Sequence, residues 1–204
     1  MTKRESGRGV MVIGVGLHPF GRFQKKDLAS LARDAVVEAL KDANVPWNKI
    51  PVAYFGHVYY HGMSVGETAL SALGLTGVPI INVENACSSG STAFWQAYWG
   101  IRTGAFDLAL AFGAEKVPKG PVTVTAGNSP ERYIGGDHMM AGYALRMRRY
   151  MEETRAPLEA FAQVSVKARQ NASLNPFAHR KKTYTMEEVL LSRPIAEPLT
   201  LFQC

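Results

Sequence analysis

Apolar residues in this chain gather into short dense runs separated by stretches with a period of three to four. The first run, GVMVIGVGL at 9–17, is nearly continuous, the texture of a strand covered on both faces of a parallel sheet. Asp27 then offers a side-chain cap, and Leu28, Leu31, Ala32, Ala35 and Leu40 recur at helical spacing until Asn44 and Pro46, so a helix with one apolar stripe is predicted. VAYFGHV (52–58) reads as a second strand, Gly62 and Gly66 with ETALSALGL as a loop and helix, and PIINVE (79–84) as a third strand. A helix from about Cys87 leads to a further strand in DLALAFGAE (107–115). Strand and helix alternate, which implies βαβ crossovers and a mainly parallel α/β sheet covered on both faces.

Beyond Lys116 the pattern loosens. VPKGPVTVTAGNSPERYIGG (117–136) is rich in proline, glycine and threonine and has no helical period, so it reads as loop with at most one short strand. Amphipathic segments follow near 139–153 and 158–171, the second marked by Leu158, Phe161, Ala162 and Ser165. Thr185 and Glu188 have capping-box spacing for a short helix that Pro194 ends. Two parts are expected, 1–117 and 118–204, with no internal repeat.

A chain of 204 residues with 47% apolar content can bury a core. Its formal net charge of +6 suits an anionic partner: nucleic acid, a membrane surface or a phosphate-bearing small molecule. No apolar run approaches the length of about 18 residues that crosses a bilayer. The first residues, MTKRESGRGVMVIGVGL, mimic a secretory signal, but HPFGRF follows without a small-x-small cleavage pattern, and the stretch reads better as a strand. Gly14 and Gly16 suggest a dinucleotide loop, yet Pro19 stands where the third glycine belongs, which removes that reading. Two cysteines cannot form a disulfide scaffold, so a reduced, cytoplasmic location is expected.

One of those cysteines, Cys87, stands where strand gives way to helix. The first turn of a helix carries unpaired N–H groups and a partial positive charge that favour a thiolate. Ligands of open α/β sheets bind beyond the carboxyl ends of strands, where PIINVE would deliver Cys87. Gly90 and the serines at 88, 89 and 91 leave room for a bulky acyl group to approach sulfur, as covalent catalysis requires. The bland alternative is a buried cysteine serving as a small hydrophobe.

The segments NVENACSSGSTAF and GIRTGAFDLALAFGAEKV resemble the nucleophile region of the thiolase superfamily, and most of all its sterol-carrier-protein-x and lipid-transfer branch. VIGVGLHPFGRF, GLTGVPIINVENAC and LNPFAHRKKTYTMEEVLLSRPIAEPLTLFQC extend the likeness over nearly the whole chain. The resemblance implies a layered αβαβα fold of two similar halves, with a loop domain that helps to bind coenzyme A inserted in the first. Residues 1–117 would be the nucleophile-bearing half and 118–204 the loop-domain region. Cys87 would accept the acyl group, and its own N–H would contribute to an oxyanion hole. Coenzyme A would be a substrate with no permanently bound cofactor, and its phosphates give the basic balance a partner without nucleic acid or metal.

The family's remaining catalytic elements belong to its second half: an asparagine or histidine that holds a water, a histidine in a Gly-His-Pro setting and a cysteine in a Cys-x-Gly setting. His18, His57, His61, His138 and His179 are not in Gly-His-Pro, and Cys204 is the last residue. The expectation is a piece that needs a complementary half, its closing strand and second half absent. Homo- or hetero-oligomers are expected with it.

His138 and Met139 resemble an acyl-pocket His-Met-Gly element of some thiolases, although position 140 is Met. Arg180 and Lys181, with Lys182, would meet coenzyme A phosphates or form a solvated face, as would Arg146, Arg148 and Arg149. Tyr59, Tyr60 and His61 read as loop packing, and Trp95, Tyr98 and Trp99 as core or subunit contact. Three functions follow: an acyl-CoA acyltransferase acting through Cys87, a retro-aldolase component for sterol side-chain CoA thioesters with an OB-fold and zinc-ribbon partner, or a non-catalytic acyl-CoA-binding subunit.

Overall fold

The structure is a computed structural model and describes residues 8–60, 62–117, 119–120, 122, 130–134 and 136–204. The chain divides into two compact units, one of residues 1–18 and 22–117, the other of residues 19–21 and 118–204.

In the first unit three strands, β1 (Ala53–Gly56), β2 (Ile80–Val83) and β3 (Leu110–Gly113), form a parallel sheet in the order β2-β1-β3. Ala53 lies opposite Ile80 on one side and Leu110 on the other. Every residue of central β1 is buried, as a strand with neighbours on both edges and helices on both faces must be. Alternate side chains divide between the faces. Ala53 and Phe55 point to α1 (Leu28–Ala43) and α2 (Val65–Leu70), where Leu28, Ala32, Val36, Ala69 and Leu70 meet them. Val52 and Tyr54 point to α3 (Ser89–Arg102), which contributes Ala93 and Ala97. Two alanines bring that helix close to the sheet, while Phe94, Trp95 and Trp99 on its other side remain exposed.

Helix α1 has the predicted ends. The Asp27 carboxylate accepts the Ser30 N–H at 2.7 Å, and Asn44 closes the helix in the left-handed conformation. The bond from Ser30 holds the Asp27 carboxyl below its ordinary range.

The run at 10–17 departs from expectation. It belongs to no helix and no sheet, and Met11 (79%) and Val15 (69%) are largely exposed. The two glycines fit the run to a helix instead. Gly14 and Gly16 give it a smooth flank against the Ala35, Ala39 and Ala43 ridge of α1; a Cβ on Gly14 would stand 2.5 Å from the Ala39 carbonyl oxygen. Val15 N–H also donates to the Asp42 carboxylate at 2.8 Å.

The second unit is mainly helical among the described residues. Residues 118, 121, 123–129 and 135, on which much of the predicted loop falls, lie outside the described residues. A one-turn helix, α4 (Pro130–Tyr133), occupies part of that segment. The amphipathic segments are α5 (Met139–Thr154) and α6 (Leu158–Leu174), and the capping box of Thr185 and Glu188 opens α7 (Met186–Leu190). A hairpin of β4 (Pro194–Ala196) and β5 (Leu199–Thr200), unforeseen in the pattern, follows where Pro194 was expected only to end the helix. Ala162, Val166 and Val189 form this unit's small core, with Tyr184 and Phe202 stacked at 4.0 Å beside it. No helix among the described residues is long and apolar enough to cross a membrane.

Candidate active site

Between β2 and α3 the chain reverses in five residues, Glu84 to Ser88. Ala86 carries a φ of 46°, the left-handed region that a side chain disfavours, and a hydrogen-bond set holds it there. Ser88 N–H donates to the Asn85 carbonyl at 2.9 Å and Ser89 N–H to the Ala86 carbonyl at 3.1 Å. The buried Ser89 hydroxyl donates to the Ala86 carbonyl and accepts from the Asn85 N–H, each at 2.8 Å. Glu84 accepts the Ala86 N–H at 2.7 Å. Cys87 is the tip of this turn, a free and exposed thiol two residues ahead of the first residue of α3. The reading of Cys87 as a buried hydrophobe therefore fails. Ser89 has a different task from the one expected: it latches the turn, whereas Ser88, Gly90 and Ser91 are the exposed small residues.

Two glycines allow the elements around the turn to close up. A Cβ on Gly56, the last residue of β1, would lie 2.7 Å from the backbone of Ser89 and Gly90, so β1 ends directly under the mouth of α3. Gly66 donates its N–H to the Asn82 side chain at 2.7 Å, joining α2 to β2.

The loop after β1 lies at the same carboxyl edge. His57 N–H donates to the Val83 carbonyl at 3.2 Å, and its ring stacks on Phe55 at 5.2 Å. Tyr59 is half-buried within electrostatic reach of Cys87, and its phenol is raised above the ordinary tyrosine range by burial first, then by charge on Cys87 and Glu115. Tyr60 packs against the core as expected, while His61 lies outside the described residues.

The other candidates belong to the second unit. His138 precedes α5 and is half-buried, its Nδ1 buried without a hydrogen-bond partner among the described residues. Met139 donates its N–H to the Val122 carbonyl at 2.9 Å. Arg180 and Lys181 are exposed in the segment between α6 and α7, and the Lys181 ammonium donates to the Pro176 carbonyl at 3.0 Å. Arg148 and Arg149 are paired with Glu197 and Glu153. Asn85 and Glu115 escaped the sequence reading, because a polar residue just past a strand end has no periodic signature, and Ser89 entered it only as a small residue.

A parallel sheet with helices on both faces and an exposed cysteine at a strand-to-helix turn defines a class of α/β protein. The family match makes it specific: residues 10–187 match the thiolase N-terminal domain, and the chain belongs to the thiolase family. Among curated relatives, the benzoylsuccinyl-CoA thiolase subunit BbsB of Thauera aromatica is 40% identical over 97% of this chain and 52% of its own length. Sterol carrier protein 2 of Bos taurus is 35% identical over 96% of this chain and 39% of its own. The chain thus spans about half or less of the length of these relatives. Among solved structures, an Ltp2-ChsH2(DUF35) aldolase superposes with a TM-score of 0.74 at 24% identity, over 94% of this chain and 51% of that one, and shares the fold.

Proposed function

We propose that this chain is the nucleophile-bearing part of a thiolase-type acyl-CoA acyltransferase, and that Cys87 is the acyl acceptor. The observation that carries the reading is the exposed Cys87 thiol at the tip of a left-handed turn that opens a helix. In the first step the Cys87 thiolate attacks the thioester carbonyl of acyl-CoA. A carbon–sulfur bond forms to Cys87, the bond to the coenzyme A sulfur breaks, and the released thiolate takes up a proton. The Cys87 N–H contributes a hydrogen bond to the tetrahedral oxyanion in this reading. Acyl transfer to the second substrate requires the acid–base groups that the resemblance places in a complementary half.

His138 and Met139 are proposed to line the acyl pocket, and Arg180 and Lys181 to meet coenzyme A phosphates. BbsB is a subunit and the aldolase is a two-component assembly by name, which supports an oligomeric or hetero-oligomeric state. The aldolase neighbour also supports a second reading, a retro-aldolase component on a sterol side-chain CoA thioester. A cytoplasmic location belongs to the same proposal.

Intact-mass measurement after incubation with acetyl-CoA, followed by peptide mapping, tests the first step. One acetyl group on Cys87, lost in Cys87→Ser, is expected. An unmodified Cys87, with coenzyme A still bound equally by wild type and Cys87→Ser, would replace acyl transfer with a binding role.

A further inference from the structure

The side chains of Glu84, Asn85 and Ser89 brace the turn after β2, and water reaches two of them. Glu84 accepts the Ala86 N–H from an exposed position, and the Asn85 amide donates to the Thr92 hydroxyl at 2.9 Å, also at the surface. Ser89 differs from both. It is 3% exposed, and its hydroxyl joins the two ends of the turn, accepting the Asn85 N–H at the strand end and donating to the Ala86 carbonyl just before Cys87, each at 2.8 Å. Bonds screened from water keep their strength. Ser89 is also held from below, since a Cβ on Gly56 would stand 2.7 Å from its backbone. The loop after β1 is fastened by a separate residue, Glu115, which accepts the N–H groups of Val58 at 2.7 Å and Tyr59 at 2.8 Å.

What the Ser89 hydroxyl holds is the backbone of Ala86, the residue before the nucleophile. At a φ of 46° Ala86 occupies the left-handed region, which an alanine populates roughly tenfold less than the right-handed one. A right-handed Ala86 would turn its carbonyl away from Ser89 and redirect Cys87 with respect to α3.

We infer that Ser89 is a positioning residue for Cys87: its buried hydroxyl locks Ala86 in the left-handed region and so keeps the thiol at the mouth of α3. The inference rests on the nucleophile reading above and adds to it the residue on which that thiol's reactivity depends. A helix mouth favours the thiolate, so a turn that relaxes presents a slower sulfur.

The test is the rate of Cys87 alkylation by iodoacetamide at neutral pH in the full chain, followed by peptide mass. Ser89→Ala removes the hydroxyl and should slow Cys87 about three- to tenfold, because nothing then offsets the preference of alanine for the right-handed region. Ser89→Thr and Ser89→Val have one shape and differ by a hydroxyl for a methyl. The threonine variant should react within about twofold of wild type and the valine variant as slowly as Ser89→Ala. Adding Ala86→Gly to Ser89→Ala should recover roughly half of the loss or more, because glycine enters the left-handed region freely; a serine that served only packing would gain nothing from that change. A wild-type rate in Ser89→Ala overturns the inference, as do equal rates in Ser89→Thr and Ser89→Val, or a double variant as slow as Ser89→Ala. Melting curves identify a variant that has lost its fold, and amide exchange in the wild type then decides alone. The Asn85 N–H, on an exposed residue, should exchange at least about tenfold more slowly than in an unstructured peptide, and an unstructured rate overturns the lock. Acetylation of wild-type Cys87 by acetyl-CoA is measured separately, so failure of the lock and failure of the acyl-acceptor reading give different results.

Discussion

The runs at 10–17 and 80–83 share an aliphatic, β-branched texture, yet only the second is a strand. Ile80–Val83 pairs in register with β1, and its Asn82 side chain receives the Gly66 N–H. The earlier run lies on α1 through its glycines, with most of its large side chains in water. Apolar texture records what a segment tolerates; a free ladder and a matching flank decide what it does.

The largest expected effect contrasts the two runs directly. Val83 is 5% exposed in the core facing α3, so Val83→Asp buries an unpartnered carboxylate and should destabilise the first unit by more than about 4 kcal/mol in chemical denaturation. Val12 is 62% exposed, and Val12→Asp should change stability by less than about 0.5 kcal/mol. Equal costs would mean that the first run is covered after all.

Next comes the contact beneath Cys87. A Cβ at Gly56 meets Ser89 and Gly90 at 2.7 Å, so Gly56→Ala should cost about 1–3 kcal/mol by denaturant titration. Gly90 has nothing within 4 Å of its would-be Cβ, and Gly90→Ala should stabilise α3 by up to about 1 kcal/mol.

The contrast extends to what could be read beforehand. Helices with capped, periodic patterns were legible: Asp27 and Asn44 bound α1, and Thr185 and Glu188 open α7. The parallel sheet followed from the alternation of elements, and the position of Cys87 at a strand-to-helix turn from its place between PIINVE and a helix. The fate of Gly14 and Gly16 was not legible, because glycine spacing alone does not say whether a sheet or a helix lies against the smooth flank. Nor were Ser89 and Glu115, whose roles depend on backbone groups brought to them by the turn and by a distant strand.

Two smaller effects refine the picture. Thr185→Ala removes one side of the capping box and should cost about 1 kcal/mol in thermal or chemical unfolding of the second unit. In the first unit, the end of the 10–17 run is moored by His18, Lys26 and Asp34: Lys26 lies 2.7 Å from Asp34 and 2.9 Å from the His18 ring. The bond from Lys26 holds the Asp34 carboxyl below its ordinary range. A depressed carboxyl contributes stability that is present above its unfolded pKa and is lost as pH falls through the folded value. Melting temperature should therefore decline below the usual carboxylate range, and Asp34→Asn should flatten that part of the profile.

The central claim is that the turn after β2 presents Cys87 as a nucleophile, and the second cysteine supplies an internal control, since Cys204 is also free and exposed. Limiting iodoacetamide at neutral pH, followed by peptide mass, measures the two thiols in one sample. The account predicts that label accumulates on Cys87 well before Cys204; equal labelling, or Cys204 reacting first, would contradict it.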